Sequence, residues 1–201
     1  ASNRAGLPLN EDFNGATQEG VGAYQYTTWN GQRISAARAF LRPAMKRRNV
    51  RVVTHAQATT VLFEGRRATG VEYLHRGVAK TAVVGREVIL AGGAINSAQL
   101  LQLSGIGPAK VLQAQGIAVR LENPNVWAHL QDHVGLNYTY RRKVPTLNDE
   151  LRPWWGKLRV GLRYVLSRGG PLSLSVNQGG GFFRSSPAHA RPNMQLYMQA
   201  F

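Results

Sequence analysis

Apolar and polar positions alternate through the middle of the chain. Ala58–Phe63, Ala68–Tyr73 and Val78–Val84 each carry this pattern, and Glu64-Gly65-Arg66-Arg67 and His75-Arg76-Gly77 join them. A period of two broken by short glycine-containing joints predicts a three-stranded meander. Val50-Arg51-Val52-Val53-Thr54 and Val88-Ile89-Leu90 are apolar runs that read as short strands covered on both faces. After the second run the period lengthens, and Ala94, Ala98 and Leu101 fall on one helical face. Asn96 with Gln99 three residues on has the capping-box spacing, which predicts a helix beginning at Ser97. Gly105 suits the left-handed residue after that helix, and Pro108 opens a second helix that Gly116 stops.

The flanks are less regular. Residues 1–48 are rich in Gly, Asn and Gln, with turn signals at Asn14-Gly15 and Asn30-Gly31, and Ser35 is placed to cap a short helix through Leu41 that ends near Pro43. Residues 136–201 predict a strand near Leu136–Arg141, a helix near 151–166 and further strands, the last alternating from Met194 to Phe201. The helix carries Leu151, Trp154, Trp155, Leu158, Leu162 and Val165 at helical spacing, with Arg152, Lys157, Arg159 and Arg163 between them. We read it as packing its apolar face on a sheet with its cations in water. The alternative is a basic helix lying on a membrane surface. The fold class is therefore α/β in the broad sense (α+β mixed), in three parts: 1–48, 49–135 and 136–201.

Composition narrows the classes. The chain has 201 residues and no Cys, which rules out disulfides and thiolate metal sites. No apolar run reaches the ~20 residues that a membrane-spanning helix needs. The first residues, Ala-Ser-Asn-Arg-Ala-Gly, resemble no signal peptide, and the final run stops inside a strand pattern, so both ends read as cut. A formal charge of +15, the Lys46-Arg47-Arg48 cluster and seven cations without an acid in 151–201 raise nucleic-acid binding. The charges are spread along the chain, and no zinc-ligand pattern, RNP-like strand or helix-turn-helix accompanies them, so no nucleic-acid partner is expected.

Candidate chemistry is sparse. A strand entering a helix through Ala91-Gly92-Gly93 is the arrangement by which α/β folds approach cofactors, and it is also ordinary close packing. His129 and His133 are four apart with Asp132 beside the second, the spacing of a helical metal pair, but no third ligand is evident and turn or capping roles are preferred, so no metal is expected. There is no Gly-x-Ser-x-Gly elbow and no nucleophile–base–orienter set.

The run Gly92–Pro108 closely resembles the second signature of the glucose-methanol-choline (GMC) flavoprotein oxidoreductases. Asp12-Phe13-Asn14-Gly15, Glu19-Gly20-Val21-Gly22 and Asn30–Leu41 resemble a block that precedes it in that family, and Leu130-Gln131-Asp132-His133 one that follows. Pro171-Leu172-Ser173-Leu174-Ser175 resembles the substrate domain of the choline dehydrogenase-like and alcohol dehydrogenase branch. The match runs in family order over nearly the entire chain. It implies part of an FAD-binding Rossmann-like domain with a β-meander (49–135), part of a substrate-binding domain with sheet and helices (136–201), and a linking segment (1–48).

The resemblance also implies a reaction. A base takes the hydroxyl proton of choline or another primary alcohol while hydride passes to flavin, and an unidentified acceptor takes the electrons. The backbone at Ala56–Ala58 would lie beside the adenine, giving Ala56 and Ala58 as cofactor contacts, and Ala91, Gly92 and Gly93 would approach the cofactor. The family's Gly-x-Gly-x-x-Gly turn is absent, and its catalytic histidine pair would lie downstream of residue 201. No catalytic residue is therefore assigned, His133 included, and the isolated chain is expected to be inactive. The alternative reading is a non-catalytic remnant or a basic membrane-surface or binding module. The expected compartment is the cytoplasm or the periphery of the inner membrane. Two departures stand out. Where the family reads Val-Gly-x-Asn-Leu-Gln-Asp-His, this chain has Trp127 for the glycine and His129 for the amide. If that glycine needs a positive φ, Trp127 strains the loop.

Overall fold

A computed structural model describes residues 6–141 and 143–199. The opening Ala1–Ala5 and the last two positions of the final predicted strand lie outside the described residues. In chain order, the first elements are β1 (Gly20–Ala23), β2 (Thr28–Trp29), β3 (Gln32–Arg33), a π-helical turn (Ala37–Leu41) and α1 (Arg42–Ala44). Next come β4 (Ala56–Glu64), β5 (Arg67–His75), β6 (Val78–Val83), α2 (Gly93–Leu103), β7 (Ile106–Gly107), α3 (Ala109–Ala114) and β8 (Leu121–Glu122). The chain closes with α4 (Leu147–Leu151), α5 (Trp154–Ser167), a 3₁₀ turn (Pro171–Ser173), β9 (Asn177–Phe183) and β10 (Met194–Gln199). These elements form two compact units, residues 51–137 and residues 1–50 with 138–201.

In the 51–137 unit the meander forms as the alternation predicts, each strand hydrogen-bonded to the next, antiparallel, in the order β4-β5-β6. Arg76 and Gly77 both take positive φ (52° and 81°), the geometry of a two-residue hairpin whose turn matches the strand twist. Helix α2 packs against the edge strand β4. The second predicted helix also forms, with Pro108 as its N-cap and Leu112 fully buried, and Gly116 at φ 70° stops it. The segment after it returns as β8, pairing parallel with β7.

Several expectations fail. Helix α2 starts at Gly93, not Ser97, and Asn96 does not cap it: the Ser97 hydroxyl reaches back instead, accepting the Gly92 N–H at 3.0 Å. The runs 50–54, 88–90 and 136–141 join no ladder among the described residues. Apolar character marks a strand for burial but does not supply its neighbours, and Ile89 is 78% exposed.

In the other unit, Asn30 and Gly31 (φ 49° and 65°) turn the β2–β3 hairpin as Asn-Gly predicts. Strand β9 is central, antiparallel to β1 and to β10. Phe13 is buried against Tyr24 and Phe182 at centroid distances of 5.3 and 5.2 Å, and the Tyr24 hydroxyl donates to Leu196 O at 2.7 Å. Gly180 is needed in β9 because a Cβ there would run into the Leu196 carbonyl and the Tyr24 ring. Ser35 Oγ accepts the Arg38 N–H at 3.3 Å, and the helical stretch ends at Ala44, beside Pro43 as expected.

Helix α5 also departs from expectation. It begins at Trp154, after the separate α4, which a capping box between Thr146 and Asp149 starts. Its buried residues are Gly156 and Val160, while Trp154, Trp155, Leu158, Leu162, Val165 and Leu166 stay exposed. Those six project within about 120° of arc at ~100° per residue, so the apolar face is the uncovered one. No helix of the described residues is long and apolar enough to cross a membrane.

Candidate functional site

The turn Ala91-Gly92-Gly93 opens the 11-residue helix α2. Gly92, its N-cap, lies at φ −78° and ψ 4°, and Gly93 at φ 84°, a backbone that side-chain-bearing residues rarely adopt. A Cβ on Gly93 would meet nothing within 4 Å, so its outer face is open to an approaching group. No side chain caps the first turn, and its N–H groups at residues 93–95 have no intrahelical acceptor. The positive end of the helix dipole adds to these donors, which suits an electron-rich oxygen or an anion. Ala91, Gly92 and Gly93 are all exposed, as are Ile89 and Ile95 beside them.

Ala56 and Ala58 lie at the start of β4, paired with His75 and Tyr73. Ala56 lines a shallow cavity of about 480 Å³ with His55, Gln57, Leu74, Arg76 and Gly77. His55 at φ 52° enters the strand from a left-handed conformation, and its carbonyl accepts the Arg76 N–H at 3.0 Å, which closes the sheet end. Both groups of candidates belong to the 51–137 unit, but no hydrogen bond joins the β4 start to the glycine turn among the described residues.

His129 and His133 do not form a helical pair, because the chain from 128 to 141 holds no helix. His129 Nε2 lies 3.3 Å from Asn125 Oδ1, and the backbone N–H of His133 donates to Asp132 Oδ1 at 2.7 Å. Among the described residues no cluster of three His, Cys, Asp or Glu could hold a metal. Trp127 and His129 take φ 69° and 60°, so the bulky residue stands in a glycine-like backbone, as its place in the motif suggested. The loop is fixed around them: Asn125 N donates to Asn123 Oδ1 and Ala128 N to Asn125 O. Sequence reasoning missed Ser104, a buried hydroxyl that ties α2 to the meander. Its only signal was a Ser before the glycine that ends a helix.

An antiparallel meander with a helix that begins in an open glycine turn defines a mixed α/β protein. The family model described as GMC oxidoreductase matches residues 1–137, and the chain belongs to the GMC oxidoreductase family. It is 43% identical to an alcohol dehydrogenase [acceptor] of Pseudomonas putida over 98% of this chain and 36% of that protein. It is 39% identical to an oxygen-dependent choline dehydrogenase of Rhizobium johnstonii, again over 98% and 36%. The chain thus spans about a third of the length of these relatives. Among solved structures, an FAD-dependent oxidoreductase from Chaetomium thermophilum superposes with a TM-score of 0.75 at 26% identity, over 90% of this chain and 33% of that one. A formate oxidase shares the fold at a TM-score of 0.76 and 24% identity, over 91% and 32%. The glycine turn has room for one part of a flavin dinucleotide: no side chain caps the first turn, and the space beside Gly93 is open to 4 Å.

Proposed function

We propose that this chain is part of an FAD-dependent oxidoreductase that oxidises the CH–OH group of an alcohol, choline or another primary alcohol, and passes the electrons to an acceptor still to be identified. The observation that carries this reading is the 43% identity to the P. putida alcohol dehydrogenase across almost the full chain. The open turn at Gly92-Gly93 supports it. When bound, FAD supplies the electron sink for the hydride leaving the alcohol carbon. The residues of this chain bind and orient. The N–H groups at 93–95 hold an electron-rich edge of the cofactor, and the backbone at Ala56–Ala58 lines the adenine. The apolar runs 50–54 and 88–90 pair with strands of the parent's sheet, which explains their exposure here. Residues 49–135 belong to the FAD-binding part and 136–201 to the substrate part, with 1–48 linking them. The proton-accepting base belongs to the parent, in the cytoplasm or at the periphery of the inner membrane.

The chain alone then neither retains FAD nor turns over an alcohol, because it carries neither the Gly-x-Gly-x-x-Gly turn nor the histidine pair. A colourless purified protein is expected. A yellow one with a flavin absorption spectrum overturns that part of the proposal. A second reading, a basic membrane-surface module, draws support from the exposed Trp154, Trp155, Leu158 and Leu162 face beside Lys157 and Arg163. It requires co-sedimentation with anionic liposomes that salt reverses, and no pelleting at low salt eliminates it.

A further inference from the structure

We infer that Ser104 is a positioning residue: its hydroxyl pins the C-terminal end of α2 to the edge of the meander and thereby sets where the Ala91–Gly93 turn stands. The bearing on a cofactor rests on the function proposed above, whereas the pin itself does not. Strand β4 is an edge strand, with β5 on one side only. Val61, at its middle, is buried, and its N–H donates to Ser104 Oγ at 2.8 Å. The hydroxyl's single proton goes to Leu100 O at 2.6 Å, which leaves its lone pairs for Val61 N–H and for the Thr60 hydroxyl at 3.5 Å. Ser104 is itself only 8% exposed, so water cannot readily replace it.

The geometry makes this contact a fulcrum. Immediately after Ser104, the Gly105 carbonyl accepts the N–H groups of Arg120 (2.8 Å) and Leu121 (3.1 Å), which fixes the same end of the helix from a second side. Among the described residues the N-terminal end has no comparable tie, its turn being exposed and without a side-chain cap. An 11-residue helix is ~16 Å long, so a small tilt at Ser104 moves the glycine turn by a larger distance. Removing the hydroxyl leaves Leu100 O with the Ser104 N–H at 3.1 Å but leaves the buried Val61 N–H with no acceptor.

The test is amide hydrogen exchange on the full chain, comparing the parent with Ser104→Ala and Ser104→Thr. With Ala, exchange at Val61, at Gly92 (whose N–H is bonded to Ser97) and along Ser97–Leu103 is expected to rise on the order of tenfold, while the β5–β6 ladder keeps its protection. Thr, which keeps the hydroxyl, is expected to restore the parent pattern. Unchanged exchange in α2, a loss spread equally over β5 and β6, or a Thr variant that behaves like Ala would each overturn the proposal. If Ser104→Ala does not fold, Ser104→Cys, a near-isostere with a weak acceptor, is expected to show the same local pattern, and a global loss there counts against the pin. The flavin spectrum described above reports on the cofactor reading separately, so either claim can fail alone.

Discussion

At Trp127 the usual ranking of alanine over glycine should invert. Its φ of 69° puts a β-carbon where the chain favours none, and Trp127 is 49% exposed, so truncation also removes packing. Comparing Trp127→Ala with Trp127→Gly cancels the lost indole and leaves the backbone. A left-handed L-residue costs about 1–2 kcal/mol, whereas glycine's extra freedom in the unfolded chain costs about 0.5–1 kcal/mol. Taken at the middle of each range, the difference favours Gly by about 0.75 kcal/mol. In urea unfolding followed by circular dichroism, a slope of about 1–3 kcal/mol/M turns that into a midpoint roughly 0.2–1 M higher for Gly. Ala98 within α2 is the control: Ala98→Gly is expected to lower stability by about 1 kcal/mol. If Trp127→Ala proves the more stable of the pair, position 127 does not hold the left-handed backbone and the strain assigned to this departure from the family motif is wrong.

Other perturbations probe the unit formed by residues 1–50 and 138–201. Tyr24→Phe removes the hydroxyl bonded to Leu196 O and is expected to cost about 0.5–1.5 kcal/mol in thermal or urea unfolding. Burial holds the Tyr24 phenol above its ordinary pKa, so the stability of its neutral form is full below about pH 10 and is lost as pH rises through the folded value; Tyr24→Phe should flatten that alkaline decline. Hydrogen bonds from the Thr146 backbone and hydroxyl hold Asp149 below the usual carboxylate range. The capping box therefore contributes above about pH 4 and fades as pH falls through the folded pKa, which NMR shifts of Thr146 and Asp149 follow; Asp149→Asn should abolish the titration. Gly180→Ala is expected to separate β9 from β10, seen as loss of amide protection at Tyr197.

The sequence made much of the structure legible where the determinant was itself local. The meander, the Asn30-Gly31 hairpin and the stop at Gly116 follow from alternation and turn residues a few positions apart. What failed depended on distant partners. Val52, Val53 and Ile89 carry the burial signal of a strand without showing which strand lies beside them. The uncovered face of α5 was misread because amphipathicity reports an apolar side without naming what covers it. At the site, the glycine turn was visible because glycine at positive φ leaves a mark in the chain. Which serine closes it, Ser97 rather than an Asn96 cap, depended on one hydrogen bond across a helical turn. Ser104 was invisible for a similar reason, since its partner Val61 lies 43 residues away and meets it through a backbone N–H.

The central claim, that the chain belongs to an FAD-dependent alcohol oxidoreductase, is tested most directly by reading the encoding DNA outward from both ends. An upstream Gly-x-Gly-x-x-Gly followed by a helix pattern, and a downstream histidine with a His or Asn partner, all in one frame, is the expected result. Stop codons immediately flanking both ends would contradict it and leave a remnant whose relatives are enzymes.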